Sequence, residues 1–262
     1  MNARLALFAA LALAAAGARS ETLVLPAIAD ATLYQPLAGD PETADSQGPH
    51  LFVGRIVAGT RRRALLRFDP SALPANALIQ SARLELTVSR TTSGPVDVGL
   101  HRVSAAWTEG SSNAGTPGGQ GTMPSMGDPT WSLRAFPADP WTAAGGDFAA
   151  IASATLTLDG ETRYLVPATA QMLADLASWR ANPASNHGWL LLSNEAQVPP
   201  TAKRLESAES SDPAARPLLV IDYALPTAPV PGPRNLALAV LILAVLLAAL
   251  KSHPTDSCRA PG

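Results

Sequence analysis

Hydrophobic and polar residues alternate along most of this chain with a period of two. The clearest case is Ile79-Gln-Ser-Ala-Arg-Leu-Glu-Leu-Thr-Val88. There Ala82, Leu84, Leu86 and Val88 face one way while Arg83, Glu85 and Thr87 face the other, the mark of a strand with one buried face. Val96-Asp-Val-Gly-Leu-His-Arg-Val103 repeats the period, with Val96, Val98 and Leu100 directed inward. Shorter strand-like runs are Thr22–Leu25, Ala31–Tyr34, Leu51–Val57, Arg63–Asp69, Thr155–Leu158, Arg163–Val166, Gly188–Ser193 and Pro217–Tyr223. About ten short strands in one domain predict an all-β fold, a two-sheet antiparallel jelly-roll sandwich.

One segment changes period. After Pro167, the run Thr169–Trp179 sets Met172, Leu176 and Trp179 on one face, which predicts a short amphipathic helix. Thr169 or Ala168 caps it and Asn182-Pro183 ends it. The stretch Gly110–Gly146 has no apolar period at all. A loop of that length inside a compact domain is either functional or a disordered insertion.

Both ends of the chain are apolar. Residues 1–20 open with Arg4, continue in a short Ala/Leu core and end in small residues at Ala16-Gly-Ala18 or Ala18-Arg-Ser20, the layout of a secretory signal peptide. Leu236–Leu250 is an uninterrupted apolar run flanked by Arg234 and Lys251, which predicts a C-terminal transmembrane or sorting helix over 235–251. The Pro-rich residues 225–234 form a semi-extended stalk, and 252–262 a short polar tail. The domain between, residues 21–224, is therefore expected outside the cytoplasm, in the cell envelope.

Composition adds three limits. A net charge of −2 gives no drive toward nucleic acid. The single cysteine, Cys258, lies beyond the apolar tail, so the domain holds no disulfide. With 19 glycines and 24 prolines, long helices are disfavoured and short strands with irregular loops favoured.

Several blocks in order resemble the DNRLRE family of secreted β-sandwich domains, which are related to carbohydrate-binding modules. They are Ala29-Asp-Ala-Thr32, Leu65-Leu-Arg-Phe-Asp-Pro-Ser71, Ile79–Leu86, His101-Arg-Val103, Trp107-Thr-Glu-Gly110, Thr130-Trp131, Trp141, Gly145-Gly-Asp-Phe148, Asn186-His-Gly-Trp189 and Lys203–Glu209. Leu205 and Ala208 depart from the usual aromatic and arginine of the last block. The resemblance implies the sandwich fold and a polysaccharide partner, but no activity. The tail Val230-Pro-Gly-Pro233 with its apolar span resembles Pro-Glu-Pro sorting tails, with Gly232 in place of the acidic residue. It implies either a retained anchor or proteolytic release to the surface.

The candidate chemistry gathers near the irregular stretch. Trp107, Trp131 and Trp141 are the indoles available to stack on sugar rings, whereas Trp179 and Trp189 sit in periodic segments and belong to the core. Glu109 lies beside Trp107 and joins them as a ligand-binding candidate. Asp30 and Asp147 are candidate oxygen donors to calcium, which would stabilise a domain without disulfides. The four histidines show no metal-ligand spacing, and no Gly-x-Ser-x-Gly elbow or phosphate loop occurs. The leading expectation is a non-catalytic module binding polysaccharide or extracellular matrix, with no catalytic residue assigned. The alternatives are a polysaccharide lyase or glycoside hydrolase using Glu109 or Asp147, and a structural or assembly subunit of the cell surface.

Overall fold

A computed structural model describes residues 18–226. Of the predicted signal peptide over 1–20, residues 1–17 lie outside the described residues and 18–20 are extended strand; the predicted C-terminal helix over 235–251 lies outside them altogether. Among the described residues no helix is long and apolar enough to cross a membrane. The compact unit is Ser20–Leu225.

Among the described residues fourteen strands and one α-helix follow in order: β1 (Ala18–Pro26), β2 (Ala29–Tyr34), β3 (Ala44–Asp45), β4 (His50–Arg55), β5 (Arg61–Arg67), β6 (Leu78–Thr91), β7 (Val96–Val103), β8 (Leu133–Ala135), β9 (Asp139–Pro140), β10 (Phe148–Leu158), β11 (Arg163–Pro167), α1 (Ala170–Ala181), β12 (Trp189–Ser193), β13 (Lys203–Glu206) and β14 (Leu218–Pro226). Twelve strands join one curled antiparallel sheet, with the path β1-β14-β6-β13-β4-β5-β12-β7-β10. β11 adds to β6, and β2 with β3 adds to β5. The all-β expectation holds, but the two sheets are not hydrogen-bonded separately. β4 pairs with both β13 and β5, and the fourteen-residue β6 serves β14, β11 and β13 in turn. Bulges at Arg204/Leu205 and Asp222/Tyr223 supply local bends along β6.

The main core lies inside this curl. Alternation places Ala82, Leu84, Leu86 and Val88 there, with Val96, Val98 and Leu100 joining them. Each large side chain so buried contributes about 1.5–3 kcal/mol. Helix α1 closes one side. The Thr169 hydroxyl accepts from Met172 N, Asn182 ends the helix, and Met172, Leu176 and Trp179 are buried. The Trp179 and Trp189 rings pack with centroids 4.5 Å apart. The buried Asp175 carboxylate accepts from Trp189 Nε1 at 3.0 Å and from the Ser153 hydroxyl.

A second, smaller core was not visible in the periodicity. It holds Ala29, Ala31, Leu33, Leu65, Val103 and Leu190 beneath Trp107, Trp131 and Trp141. The long irregular segment folds over β2, β5 and β12 as a lid, so β2 is buried on both faces along its whole length. The lid's backbone is tied by the buried Asp128, which accepts from Ser112 N at 3.2 Å and also from Ser125 N.

Candidate functional site

The three indoles expected to meet a ligand are instead packing residues. Trp107, Trp131 and Trp141 are 3%, 7% and 5% exposed. Trp107 Nε1 donates to His187 O at 2.8 Å, and Trp141 Nε1 donates to Thr130 O at 3.0 Å. The Arg67 guanidinium lies over Trp107 at 5.0 Å, and Arg63 lies over Trp131 at 4.8 Å. Arg63 is fixed in turn by two bonds to Glu195 and one to Gly145 O. The physical reason is apolar supply: β2 and β5 present a second apolar face, and the three tryptophans, with Phe148 and Leu192 beside them, cover it.

The carboxylates are engaged by backbone amides. Glu109 Oε1 accepts from Asp30 N at 2.7 Å, and Asp30 Oδ2 accepts from Ala208 N at 2.7 Å. Asp147 accepts from Thr142 N and Ala143 N, tying its own turn. Asp30 and Asp147 thus tie different loops: Asp30 holds Ala208, and Asp147 holds its own turn. Among the described residues no three Asp, Glu, His or Cys side chains are placed to hold a metal ion.

Asp30 instead belongs to an acidic group that sequence reasoning did not assemble. Burial raises its pKa well above the ordinary value, and the charges of Glu209, Glu109 and Asp45 raise it further. Burial also raises Glu109 and Glu209. Asp45, 2% exposed, accepts from Ala114 N at 3.0 Å through Oδ1, while its buried Oδ2 has no partner. Burial chiefly, with Glu209 and Asp128 adding, lifts its pKa from 3.8 to about 6.

A pH dependence follows. A carboxyl whose folded pKa exceeds its unfolded one binds its proton more tightly in the native state. Stability therefore falls as pH rises between about 4 and 6. For Asp45 the full effect is at most roughly 3 kcal/mol. Glu85, Glu206 and Asp222, whose pKa values are held low, act in the opposite sense at more acid pH. Urea titrations from pH 7 to 5 are expected to show rising stability, with a smaller rise in Asp45→Asn. Parallel profiles for the two proteins would rule out this role for Asp45.

A separate groove lies between the β4–β13–β6 surface and the lid. Arg204 of β13 stands opposite Phe52 of β4 and opposite Arg90 of β6. Directly opposed residues share a sheet face, so an aromatic ring and two guanidiniums form a row across three strands. The row lines a cavity of about 400 Å³, with Ile56, Thr91, Thr92 and the lid residues Pro117, Gly119 and Gln120 around it. That volume suits a small ligand or a few rings of a longer one.

The groove's lining holds Arg90, Lys203 and Arg204 and no carboxylate, although the chain carries a net charge of −2. Arg90 is exposed and has no ion-pair partner among the described residues. Arg204 donates to the hydroxyl and carbonyl of Ser89, with Glu206 the nearby carboxylate whose pKa it lowers. Lys203, buried beneath, is surrounded by Thr91 Oγ1, Ser93 O, Gly94 O and Asp159 O at 2.7–3.0 Å, all uncharged oxygens. By contrast Arg61, Arg63, Arg83, Arg102, Arg134 and Arg163 are all paired with carboxylates. No protein-family model matches this chain, and no curated protein matches it.

Proposed function

We propose that this chain is an exported, C-terminally anchored module of the cell envelope that binds acidic polysaccharide without cleaving it. The reading rests on one observation: the row Phe52–Arg204–Arg90 on the floor of the groove. An aromatic face packs on the C–H face of a sugar ring. A guanidinium donates a fork of N–H bonds matched to a carboxylate or sulfate. Proposed export to the envelope brings such a groove into contact with glycans. Membership of the DNRLRE-type domains, and their jelly-roll topology, belong to the same proposal. It is supported by the position of Asp30, Glu109 and Glu209, from three of the resembling blocks, in one electrostatic group.

The cleaving alternative gains no support from the carboxylates, because Glu109 and Asp147 accept from backbone amides within the loops. Calorimetric titration of residues 21–224 with neutral and acidic glycans at low salt tests the proposal. Binding to the acidic chains is expected, and binding to none of them would favour the structural-subunit alternative.

A further inference from the structure

The groove does not end at the arginine row. Ile56 and Gln120 border the 400 Å³ cavity and also border a second one of about 320 Å³, lined by Tyr34, Leu37, Asp40, Thr60 and Arg62 among others. The two floors are continuous: the Tyr34 and Phe52 rings lie 6.3 Å apart, and Tyr34 stands opposite Arg62 in the β2–β5 ladder. The Arg62 guanidinium stacks on Tyr34 at 4.9 Å. Its hydrogen bonds go to Gln35 O, Arg61 O, Gly119 O and Thr60 Oγ1, so this buried cation has no carboxylate ion pair among the described residues. The lid wall beside both cavities is held in place beforehand. Tyr34 OH donates to Gly118 O at 2.9 Å, Arg62 Nε to Gly119 O at 3.4 Å, and Thr43 Oγ1 to Gln120 O at 3.0 Å.

We propose that the two cavities are consecutive subsites of one trough, so that the chain recognises an extended stretch of an anionic polysaccharide and not a single terminal sugar. The inference rests on the binding reading above and adds the length of ligand it takes. Each cavity is of ligand size by itself, and the two share rim residues and a fixed wall. Tyr34 and Arg62, 1% and 4% exposed, shape the second floor from beneath, and the exposed Leu37 is the apolar surface open to a ring there. A chain that fills both gains the contacts of the second without a second loss of translational freedom. The gain accrues only when the chain is long enough to pass Ile56 and Gln120.

The test is calorimetric titration of the full chain with galacturonate oligomers of two, four and six units, and with polygalacturonate. Affinity is expected to rise at least about tenfold from the dimer to the hexamer. Leu37 is 50% exposed and lines only the second cavity of the two, so Leu37→Asp should leave the fold intact. It is expected to abolish the hexamer's advantage while dimer affinity stays within about twofold of the parent, a change too small to mark a lost contact. Equal affinity for dimer and hexamer would overturn the two-subsite trough and leave the groove reading standing. So would a hexamer advantage that survives Leu37→Asp. No binding of any oligomer or of the polymer at low salt would overturn both.

Discussion

Gly188→Ala is expected to destabilise the domain by about 4 kcal/mol, lowering the melting temperature by roughly 10 °C. Gly188 has φ +77°, a conformation open to glycine but costly for alanine. An added Cβ would lie 2.1 Å from Leu66 O and 2.9 Å from the Arg67 Cα, both backbone atoms that cannot move alone. Its carbonyl accepts from Val103 N at 3.0 Å, and its neighbour Trp189 carries the indole bonded to Asp175. Relief of the clash must therefore separate β12 from β5, where both core layers meet. Urea denaturation measures the loss directly. A change under about 1 kcal/mol would mean that the β5–β12 contact gives way more easily than its packing implies.

The largest functional effect is expected from the double variant Arg90→Ala with Arg204→Ala. A charge-assisted hydrogen bond contributes about 1.5–3 kcal/mol, so two lost guanidiniums should weaken acidic-glycan binding by about 100-fold or more. Stability should change by under about 1 kcal/mol, because Arg90 is exposed and Arg204 bonds only to Ser89 in the domain. The salt dependence of binding should flatten in the variant, since screening acts on the charges removed. Arg134→Ala is the matched control: Arg134 is also at the surface, but it pairs with Asp139 and lies outside the groove. Unchanged binding in the double variant would remove the arginine row from the recognition surface.

Much of the strand framework was legible because one-sided burial writes itself into alternation, as along β6 and β7. Helix α1 was equally plain, since Thr169, the Met172/Leu176/Trp179 face and Asn182-Pro183 are local signals. The second core was not legible. Ala29, Ala31 and Leu33 are buried by residues about a hundred positions away, and no local period records such a partner. The burial of Trp107, Trp131 and Trp141 was not legible for the same reason: an indole in or beside an irregular segment has the same sequence signature whether it meets a sugar or β2. The arginine row is a product of register, since Phe52, Arg90 and Arg204 become neighbours only through ladders spanning the chain. Alternation could have turned Phe52 outward, because Leu51 and Val53 point in. It could not have brought the two arginines beside it.

The burial of all five indoles fixes what light can report. Trp107, Trp131, Trp141, Trp179 and Trp189 are shielded from water, so emission from the native domain should be blue-shifted and should move to the red on unfolding. The groove, lined by phenylalanine and arginine, holds no indole. Glycan titrations followed by intrinsic fluorescence are therefore expected to be nearly silent even at saturation, when calorimetry registers heat. A strong red shift on adding glycan would signify that the ligand lifts the lid away from β2, a motion that a preformed trough does not require.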